Sequence, residues 1–502
     1  MAPPPAVLSS GELGARGHTR PHVVFVPSAG MGHLLQFFRF IGALSAHDVD
    51  ISVVTVFPTV VRRLDFDLLP FDASEFPGGD PFLLRWEALR RSLHLLGPVI
   101  AGVTPRVTAT VTDVTLVSHV NPIAKDLGIQ CHVLYVSSAV MMSLVSYFPI
   151  YLDNKDAGAD VGDVDIPGCH VLYVSSAVMM SLVSYFPIYL DNKDAGADVG
   201  DVDIPGVRRL KRSWLPQPLL DLNKLFTKQF IENGREMVKT DGVLINTFDA
   251  LEPVALAALR DGKVVRGFPP VFAVGPHSSL ASEATKSAAA EAEGSPMAWL
   301  RQQPARSVVY VAFGSRCAVS HEQIREIAAG LEASGSRFLW ILKTTVVDRD
   351  DDAGIRDVLG DGFLERVRGR GVVTKAWVDQ DAVLRDPAVG LFLSHSGWNS
   401  VIEAATAGVP LLAWPRGGDH RVAATVVASS GVGVWMEQWS WDGEEWLVSG
   451  EEIGGKVKEM MADAGVREKA AKVGEEVAKA VAVGGTSHTG ILDFVAKLKA
   501  TT

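Results

Sequence analysis

Polar residues crowd into the turn after one apolar strand, in the stretch FLSHSGWNSVIEAATAGVPLL from residue 392 to 412. A helix begins directly after this turn, and the first N–H groups of a helix carry a partial positive charge that attracts anions. Gly397 has no Cβ, which would let the backbone approach a ligand closely, and His395 adds a side-chain donor. These residue types at this spacing predict a site for a diphosphate.

The same turn also has an interpretation that needs no ligand. Asn399 or Ser400 can cap the helix, and Ser400 with Glu403 has the spacing of a capping box. Gly408 is then suited to end the helix. Anion binding and helix capping both remain open on these residues alone.

His33 is a second candidate for chemistry, because it lies in SAGMGHLL directly after the apolar strand HVVFVPS. A helix N-terminus disfavours the imidazolium form, so the ring there stays neutral and can accept a proton. The same position also suits a helix cap or a surface histidine. The pattern therefore allows a general base without requiring one.

Apolar strands alternate with amphipathic helices in two blocks of the chain. The predicted strands include HVVFVPS, ISVVTVF, CHVLYVSS, GVLINTF, SVVYVAFGS, RFLWIL, GVVTKAW and VGLFLS, and the predicted helices include EQIREIAAGLEASG and VIEAATAG. Residues 277–296, which are small and polar, separate the blocks and are typical of a linker. This rhythm predicts two α/β domains, each a doubly wound parallel sheet, that face each other across a cleft. Ligands of such sheets bind at the carboxyl ends of the strands.

The bulk composition favours a soluble enzyme that acts on small molecules. The 502 residues are too many for one ordinary core, and 47% of them are hydrophobic. A net charge of -11 argues against nucleic acid or an anionic membrane as a partner. Three cysteines cannot build a disulfide framework, so a reducing compartment, the cytoplasm, is expected. Residues 1–21 lack the apolar region of a signal peptide and are expected to form a disordered tail.

Residues 131–168 and 169–206 are identical, so only one copy can occupy the core position of a strand and helix. The apolar run at residues 131–152 could also span a membrane. Its serines, histidine and proline weaken that alternative and favour a buried strand followed by a core helix.

The predicted strand ISVVTVF is separated from the next strand-like run, VVRRLDFDLL, by little more than PTV. A parallel crossover needs a dozen or more residues, usually a helix. Either the two strands pair antiparallel or a crossover helix is missing, and we favour the second interpretation.

The 44 residues from Trp377 to His420 resemble, almost position by position, the signature of plant family-1 UDP-glycosyltransferases. PSAGMGH, NTFDALEP and YVAFGS are similar to three further blocks, so the resemblance covers nearly the whole chain. It implies the GT-B fold, two Rossmann-like doubly wound domains facing across a cleft, with the acceptor in the first and the UDP-sugar in the second. The implied segments are a tail (1–21), an acceptor domain (22–276), a linker (277–296), a UDP-sugar domain (297–475) and a C-terminal segment that crosses back to the first domain (476–502).

The resemblance also implies which residues bind the donor. Trp377 should stack on uracil, while the Val378 backbone and Gln380 should contact the base or the ribose. Glu403 should accept both ribose hydroxyls, a bidentate task that suits a carboxylate. The remaining residues are Ser315, His395, Asn399 and Ser400 for the diphosphate, and Trp398, Asp419 and His420 for the sugar.

In the mechanism that the resemblance implies, His33 is the general base, and Asp113 orients it and stabilises its charged form. His33 would take a proton from a phenol or hydroxyl, and direct displacement at the anomeric carbon would invert its configuration. UDP would leave as an anion stabilised by the helix terminus and His395, with no metal ion or other cofactor. The acidic run at residues 348–352 is accordingly expected to be a solvated loop, and the protein is expected to act as a monomer.

PSAGMGH, TDVTL and FGSR are most similar to the grass flavonoid C-glycosyltransferases. This implies transfer of glucose from UDP-glucose to a carbon of a 2-hydroxyflavanone or a related polyphenol. A flavonoid O-glycosyltransferase remains an alternative. His420 replaces the usual Gln, as in members that prefer UDP-galactose, so a galactosyltransferase is a further alternative.

Other positions depart from the pattern of this family. Ser396 replaces the usual Cys, Ala423 stands where Asn is common, and Gln36 replaces the usual Pro. The duplication and the short connection both fall in the acceptor domain, so a UDP-sugar binder with impaired transfer is another alternative. An NAD-dependent dehydrogenase fits poorly, because residues 30–35, GMGHLL, lack the third glycine of G-x-G-x-x-G.

Overall fold

A computed structural model describes much of both predicted blocks. The described residues are 20–28, 31–54, 62–64, 66, 68–69, 88–135, 201–203, 206–215, 220, 232–277, 295–314, 319–344, 353–376, 378–440 and 446–500; only the backbone is described at 31–35, 62–63 and 202–203. All structural statements below concern these residues. Most of the predicted linker and the whole acidic run at 348–352 lie outside them.

The described strands and helices follow the predicted alternation. The strands are β1 (His22–Val26), β2 (Asp50–Val54), β3 (Arg62–Leu64), β4 (Ala109–Asp113), β5 (Gln130–Tyr135), β6 (Val202–Asp203), β7 (Arg209–Leu210), β8 (Gly242–Ile245), β9 (Val271–Ala273), β10 (Val308–Ala312), β11 (Arg337–Ile341), β12 (Gly371–Thr374), β13 (Val389–Ser394), β14 (Leu411–Ala413) and β15 (Gly433–Trp435). The helices are α1 (Met31–Leu44), α2 (Leu96–Ala101), α3 (Val117–Asp126), α4 (Pro253–Arg260), α5 (Pro296–Leu300), α6 (His321–Ser334), α7 (Ile355–Arg366), α8 (Gln380–Leu384), α9 (Trp398–Ala407), α10 (His420–Ser430), α11 (Gly450–Ala462), α12 (Ala464–Val481) and α13 (Thr486–Lys499).

Two parallel sheets organise the molecule. The first has seven strands in the order β3-β2-β1-β4-β5-β8-β9, and the second has six in the order β12-β11-β10-β13-β14-β15. β6 and β7 form a separate antiparallel pair. In each large sheet the chain runs outward from a central strand in both directions, which confirms the prediction of two doubly wound α/β domains.

Both faces of each large sheet are buried. In β10, Val308 and Tyr310 belong to one apolar cluster, whereas Val309 and Val311 belong to another on the opposite face. Strands covered by helices on both faces need apolar residues at every position, which explains why these segments read as continuous apolar runs.

β3 pairs with β2 in parallel, with Ser52 opposite Arg62 and Val54 opposite Leu64. The antiparallel alternative is therefore wrong. Residues 55–61, which connect the two strands, lie outside the described part and are fewer than a parallel crossover usually needs. A missing crossover helix presupposes that the two strands are parallel, and the observed pairing is parallel.

The first copy of the repeat supplies β5, which lies between β4 and β8. Its residues Cys131–Tyr135 are buried, so the predicted buried strand is confirmed for this segment. The helix predicted to follow, and most of the second copy, lie outside the described residues. Among the helices that are described, none is long and apolar enough to cross a membrane.

The last helix, α13, packs on the first sheet although it follows the helices of the second domain. The fully buried ring of Phe494 lies 6.0 Å from the Phe40 ring of α1, 5.1 Å from His132 of β5 and 5.8 Å from Phe272 of β9, measured between centroids. These contacts tie the end of the chain to the domain in which it begins.

Replacing Phe494 by Ala should lower the free energy of unfolding of the first domain by about 3–5 kcal/mol, because a large ring leaves a packed cavity. Leu492→Ala is the matched control on the same helix, since Leu492 is 41% exposed. The control should change stability by less than about 0.5 kcal/mol. Urea unfolding followed by circular dichroism measures both, and equal losses would contradict the packing of α13.

Candidate active site

Several predicted site residues lie where the strand order of each sheet reverses. In the second sheet, Gly314 follows β10 and His395 follows its neighbour β13. In the first sheet, α1 follows β1, and Asp113 ends the neighbouring β4. The carboxyl ends of parallel strands at such a reversal form the crevice in which ligands bind.

Helix α9 begins without a side-chain cap. Its N-cap is Gly397, so the prediction that Asn399 or Ser400 caps the helix is wrong. Ser400 lies inside the first turn, where its hydroxyl accepts a hydrogen bond from Nε2 of Gln380 at 3.0 Å. Gly408 ends the helix in the left-handed conformation, as predicted. Because glycine offers no side chain to the first N–H groups of α9, these groups suit an anion.

The ring of His395 is confined between two glycines. A Cβ on Gly314 would lie 2.6 Å from its Nε2 atom, and a Cβ on Gly397 would lie 2.5 Å from the same atom. Gly397 therefore makes room for the imidazole, which differs from the predicted close approach of backbone to ligand. Gly314 also has a φ of 77°, a conformation that favours glycine.

His395 and His420 contact each other in a T-shaped arrangement, with ring centroids 4.7 Å apart. Burial lowers the pKa of His395 to about 4 and holds the pKa of His420 well below its ordinary value. Both rings are therefore neutral at pH 7 and act as hydrogen-bonding groups without net charge. His420 begins α10, and the preceding Asp419 is fully buried.

Glu403 is buried and held by two side chains. Its Oε1 atom accepts from Nη2 of Arg39 at 2.8 Å, and its Oε2 atom accepts from Nε2 of Gln380 at 2.7 Å. Burial raises the pKa of Glu403, and the opposing charge of Arg39 limits that rise. Tyr310 donates to Oε1 of Gln380 at 3.4 Å. The structure thus brings together Glu403, which was assigned to the ribose, and Gln380, which was assigned to the base or the ribose. Glu403 plays no part in a capping box.

Side chains of the first domain reach α9 directly. Nε2 of Gln36 donates to Oδ1 of Asn399 at 2.7 Å, and Oε1 of Gln36 accepts from Nδ2 of Asn246 at 2.8 Å. The indole of Trp398, which is buried in the core of the second domain, donates to the carbonyl of Asn246 at 2.9 Å.

Arg39 and Asn246 were not among the site residues predicted from the sequence. The first domain's contribution could have been predicted from Gln36, which stands where the family that the sequence resembles usually has Pro. Gln36 and Arg39 are three residues apart and therefore lie on one face of α1.

The expected general base, His33, and its expected partner, Asp113, lie at or shortly after the carboxyl ends of the neighbouring strands β1 and β4. His33 is the third residue of α1, and its side chain is not among those described. Asp113 is buried, and its Oδ1 atom accepts from the N–H of Thr115 at 2.9 Å and from its hydroxyl at 2.7 Å. These bonds suit a residue that closes a turn, and the pairing of Asp113 with His33 stays a prediction.

Ser315 and Trp377 lie outside the described residues, so their predicted roles are untested by the structure. Val378 is half-buried and packs against the apolar cluster of the second domain. Over the described ranges, no group of three or more His, Cys, Asp or Glu side chains could hold a metal ion.

Replacing Gly314 by Ala should lower the stability of the second domain by about 1–3 kcal/mol, because the new Cβ strains a left-handed backbone and meets His395. Gly455→Ala is the control and should change the stability in the opposite direction, since this exposed glycine inside α11 has nothing within 4 Å of the position that a Cβ would take. It should gain about 0.5–1 kcal/mol. Thermal unfolding distinguishes the two, and unchanged stability in the Gly314 variant would show that the imidazole is not confined.

His395 should make the protein less stable as the pH falls. The unfolded histidine takes up a proton near pH 6.5, whereas the folded one does so only near pH 4. Its contribution to stability is complete above pH 6.5 and is lost between there and pH 4. That loss amounts to about 1.4 kcal/mol per pH unit. His395→Asn should reduce the slope of unfolding free energy against pH by about one proton. Urea unfolding at several pH values measures it, and identical slopes would show that the folded His395 ring is not held neutral.

The chain is similar over almost its whole length to glycosyltransferases of rice and maize. It is 52% identical over 505 residues to UDP-glycosyltransferase CGT of Oryza sativa subsp. indica, with 97% of each chain covered. It is 49% identical to UDP-glycosyltransferase 708A6 of Zea mays, over 96% of this chain and 97% of that one.

The solved structure of LpCGTa in complex with UDP has the same fold, with a TM-score of 0.76 and 41% identity over 96% of this chain and 99% of that one. The profile of the family described as UDP-glucoronosyl and UDP-glucosyl transferase matches residues 270–464, which include β10, α9 and the turn between β13 and α9. The chain therefore belongs to the plant family-1 UDP-glycosyltransferases, which are enzymes with the GT-B fold.

Proposed function

We propose that this protein is an inverting glucosyltransferase that moves glucose from UDP-glucose to a carbon of a flavonoid-type polyphenol, with a 2-hydroxyflavanone as the acceptor. The observation that carries the proposal is the arrangement at the start of α9, where an uncapped helix terminus, His395 and the Glu403–Gln380 pair lie together. The similarity to the rice protein named CGT supports transfer to carbon.

In the donor half of the proposed reaction, the diphosphate lies at the N-terminus of α9 and the ribose hydroxyls donate to Glu403. Negative charge grows on the diphosphate as its bond to the anomeric carbon breaks. The N–H groups of α9 and the neutral ring of His395 therefore stabilise the transition state more than the ground state. This chemistry needs no metal ion.

In the acceptor half, His33 takes the proton of a phenol, and Asp113 orients the ring and stabilises the imidazolium that forms. The phenolate delivers electron density to the neighbouring ring carbon. That carbon attacks the anomeric carbon from the face opposite UDP, which inverts its configuration. The ring carbon then loses its hydrogen as a proton, so that the aromatic ring is restored.

Three alternative functions would involve the same binding of a UDP-sugar at the start of α9. Attack by the phenolate oxygen would give an O-glycoside, and recognition by His420 could favour UDP-galactose over UDP-glucose. The duplicated segment and the short connection between β2 and β3 favour a third alternative, a protein that binds UDP-sugar but transfers it slowly.

Incubation with UDP-glucose or UDP-galactose and a panel of polyphenols should give a glucoside that survives boiling in acid, as C-glycosides do. An acid-labile product would identify O-transfer, and a galactoside would identify the other donor. If calorimetry shows that the protein binds UDP but no product forms, the protein is a UDP-sugar binder with impaired transfer.

In the same assay, His33→Ala should lower kcat by about 10²–10⁴-fold, the usual contribution of a general base. His94→Ala is the control, since His94 is an exposed histidine whose ring contacts the Arg91 carbonyl outside this site. The control should keep full activity. Undiminished transfer in the His33 variant would contradict its role as the base.

A further inference from the structure

We propose that Gln36 of α1 is a positioning residue for the donor diphosphate, because it turns the side-chain amide of Asn399 so that its N–H groups face the phosphates. This inference rests on the proposed function, which takes Asn399 as a ligand of the diphosphate. Gln36 stands where the family that the sequence resembles usually has Pro, a residue without a polar side chain. Members with Pro at this position therefore cannot orient Asn399 in this way.

Three amide side chains form a continuous hydrogen-bonded series between the two domains. Nδ2 of Asn246, which follows β8, donates to Oε1 of Gln36 at 2.8 Å, and Nε2 of Gln36 donates to Oδ1 of Asn399 at 2.7 Å. Gln36 and Asn246 are each 1% exposed, whereas Asn399 is half-buried. The series therefore begins inside the first domain and ends in the first turn of α9.

The first member of the series, Asn246, is fixed by its surroundings. Its N–H group donates to the carbonyl of Tyr135 in β5 at 3.1 Å, and its own carbonyl accepts from the indole of Trp398 at 2.9 Å. A Cβ on Gly275 would lie 2.2 Å from Oδ1 of Asn246, so this side chain occupies space that only a glycine leaves open. Asn246 therefore presents its amide to Gln36 from a fixed position.

The direction of the series decides which end of the Asn399 amide faces the donor. A glutamine amide has one accepting and one donating end. Since the Gln36 oxygen accepts from Asn246, the Gln36 nitrogen donates to Asn399, whose oxygen accepts. The Nδ2 group of Asn399 is then directed away from Gln36. An anion attracts N–H groups and repels a carbonyl oxygen, so this orientation of Asn399 favours a diphosphate and the opposite orientation disfavours it.

A second contact holds α1 against α9 independently of Gln36. Arg39 and Glu403 form an ion pair at 2.8 Å, and their side chains are 5% and 9% exposed. Gln36 and Arg39 are three residues apart in α1, and Asn399 and Glu403 are four residues apart in α9. Residues at these spacings share a helix face. A substitution of Gln36 therefore removes the orienting amide but keeps the ion pair between the two helices.

Gln36→Met, which keeps an unbranched side chain and removes both hydrogen bonds, should lower the affinity for UDP about tenfold, the usual contribution of one hydrogen bond to a charged group. The affinity for uridine, which has no phosphate, should stay unchanged. A general loosening of the site would weaken the binding of both ligands. Calorimetry with each ligand measures the two affinities, and an equal loss for both would overturn the proposal.

Gln303→Leu is the control, because it also removes an amide that joins two groups. Gln303 accepts from Nε of Arg337 at 3.0 Å and donates to the carbonyl of Trp299 at 2.8 Å, near the amino end of β11 and so away from the site. This variant should bind UDP and uridine like the wild type.

A double-mutant cycle tests whether Gln36 acts through Asn399. In a protein that already carries Asn399→Ala, Gln36→Met should not lower the affinity for UDP further, because the amide that it orients is absent. Additive losses would overturn the proposal. If Gln36→Met does not fold, Gln36→Asn takes its place in both experiments, since it keeps an acceptor for Asn246 but is one methylene too short to reach Asn399 as well. The same selective loss of UDP affinity is expected, and its absence would overturn the proposal.

Failure of the proposed function would give a different result. If the wild type bound UDP no more tightly than uridine, the diphosphate site at α9 and the role of Gln36 would both be rejected. If the wild type preferred UDP and the Gln36 variant kept the same preference, only the role of Gln36 would be rejected.

Discussion

The candidate site depends on the parallel pairing of β10 with β13. The register that sets Ala312 opposite Ser394 brings the loops after both strands to one edge of the second sheet. The ring of His395 then fits because residues 314 and 397 have no Cβ. A slip of one residue would turn every side chain of the strand to the opposite face and separate these groups.

The polar groups buried at this edge of the sheet come from both domains, so the site depends on both of them. Glu403 and Asn399 belong to the second domain, yet each is satisfied by a side chain of α1. Buried charges and amides need partners, and here each domain supplies partners to the other.

The unusual features of the sequence fall in the acceptor domain. One copy of the repeat provides a regular strand, β5, within the first sheet, and β3 joins the edge of that sheet in parallel. The sheet that positions Asp113 and α1 is therefore continuous across the described strands. The described part of the second domain keeps the strand order and the turn on which donor binding depends.

The periodicity of apolar residues by itself determined the strands, the principal helices and the two doubly wound sheets, because burial on both faces leaves a continuous apolar pattern. The spacing of residues 377–420 determined the family. The tertiary structure decided what each polar group contacts: Gly397 begins α9 without a side-chain cap, His395 is neutral between two glycines, and Glu403 meets Arg39 from 364 residues away. A local pattern reports which face is buried, but the partner on that face comes from a distant segment, and its identity depends on how the two domains pack.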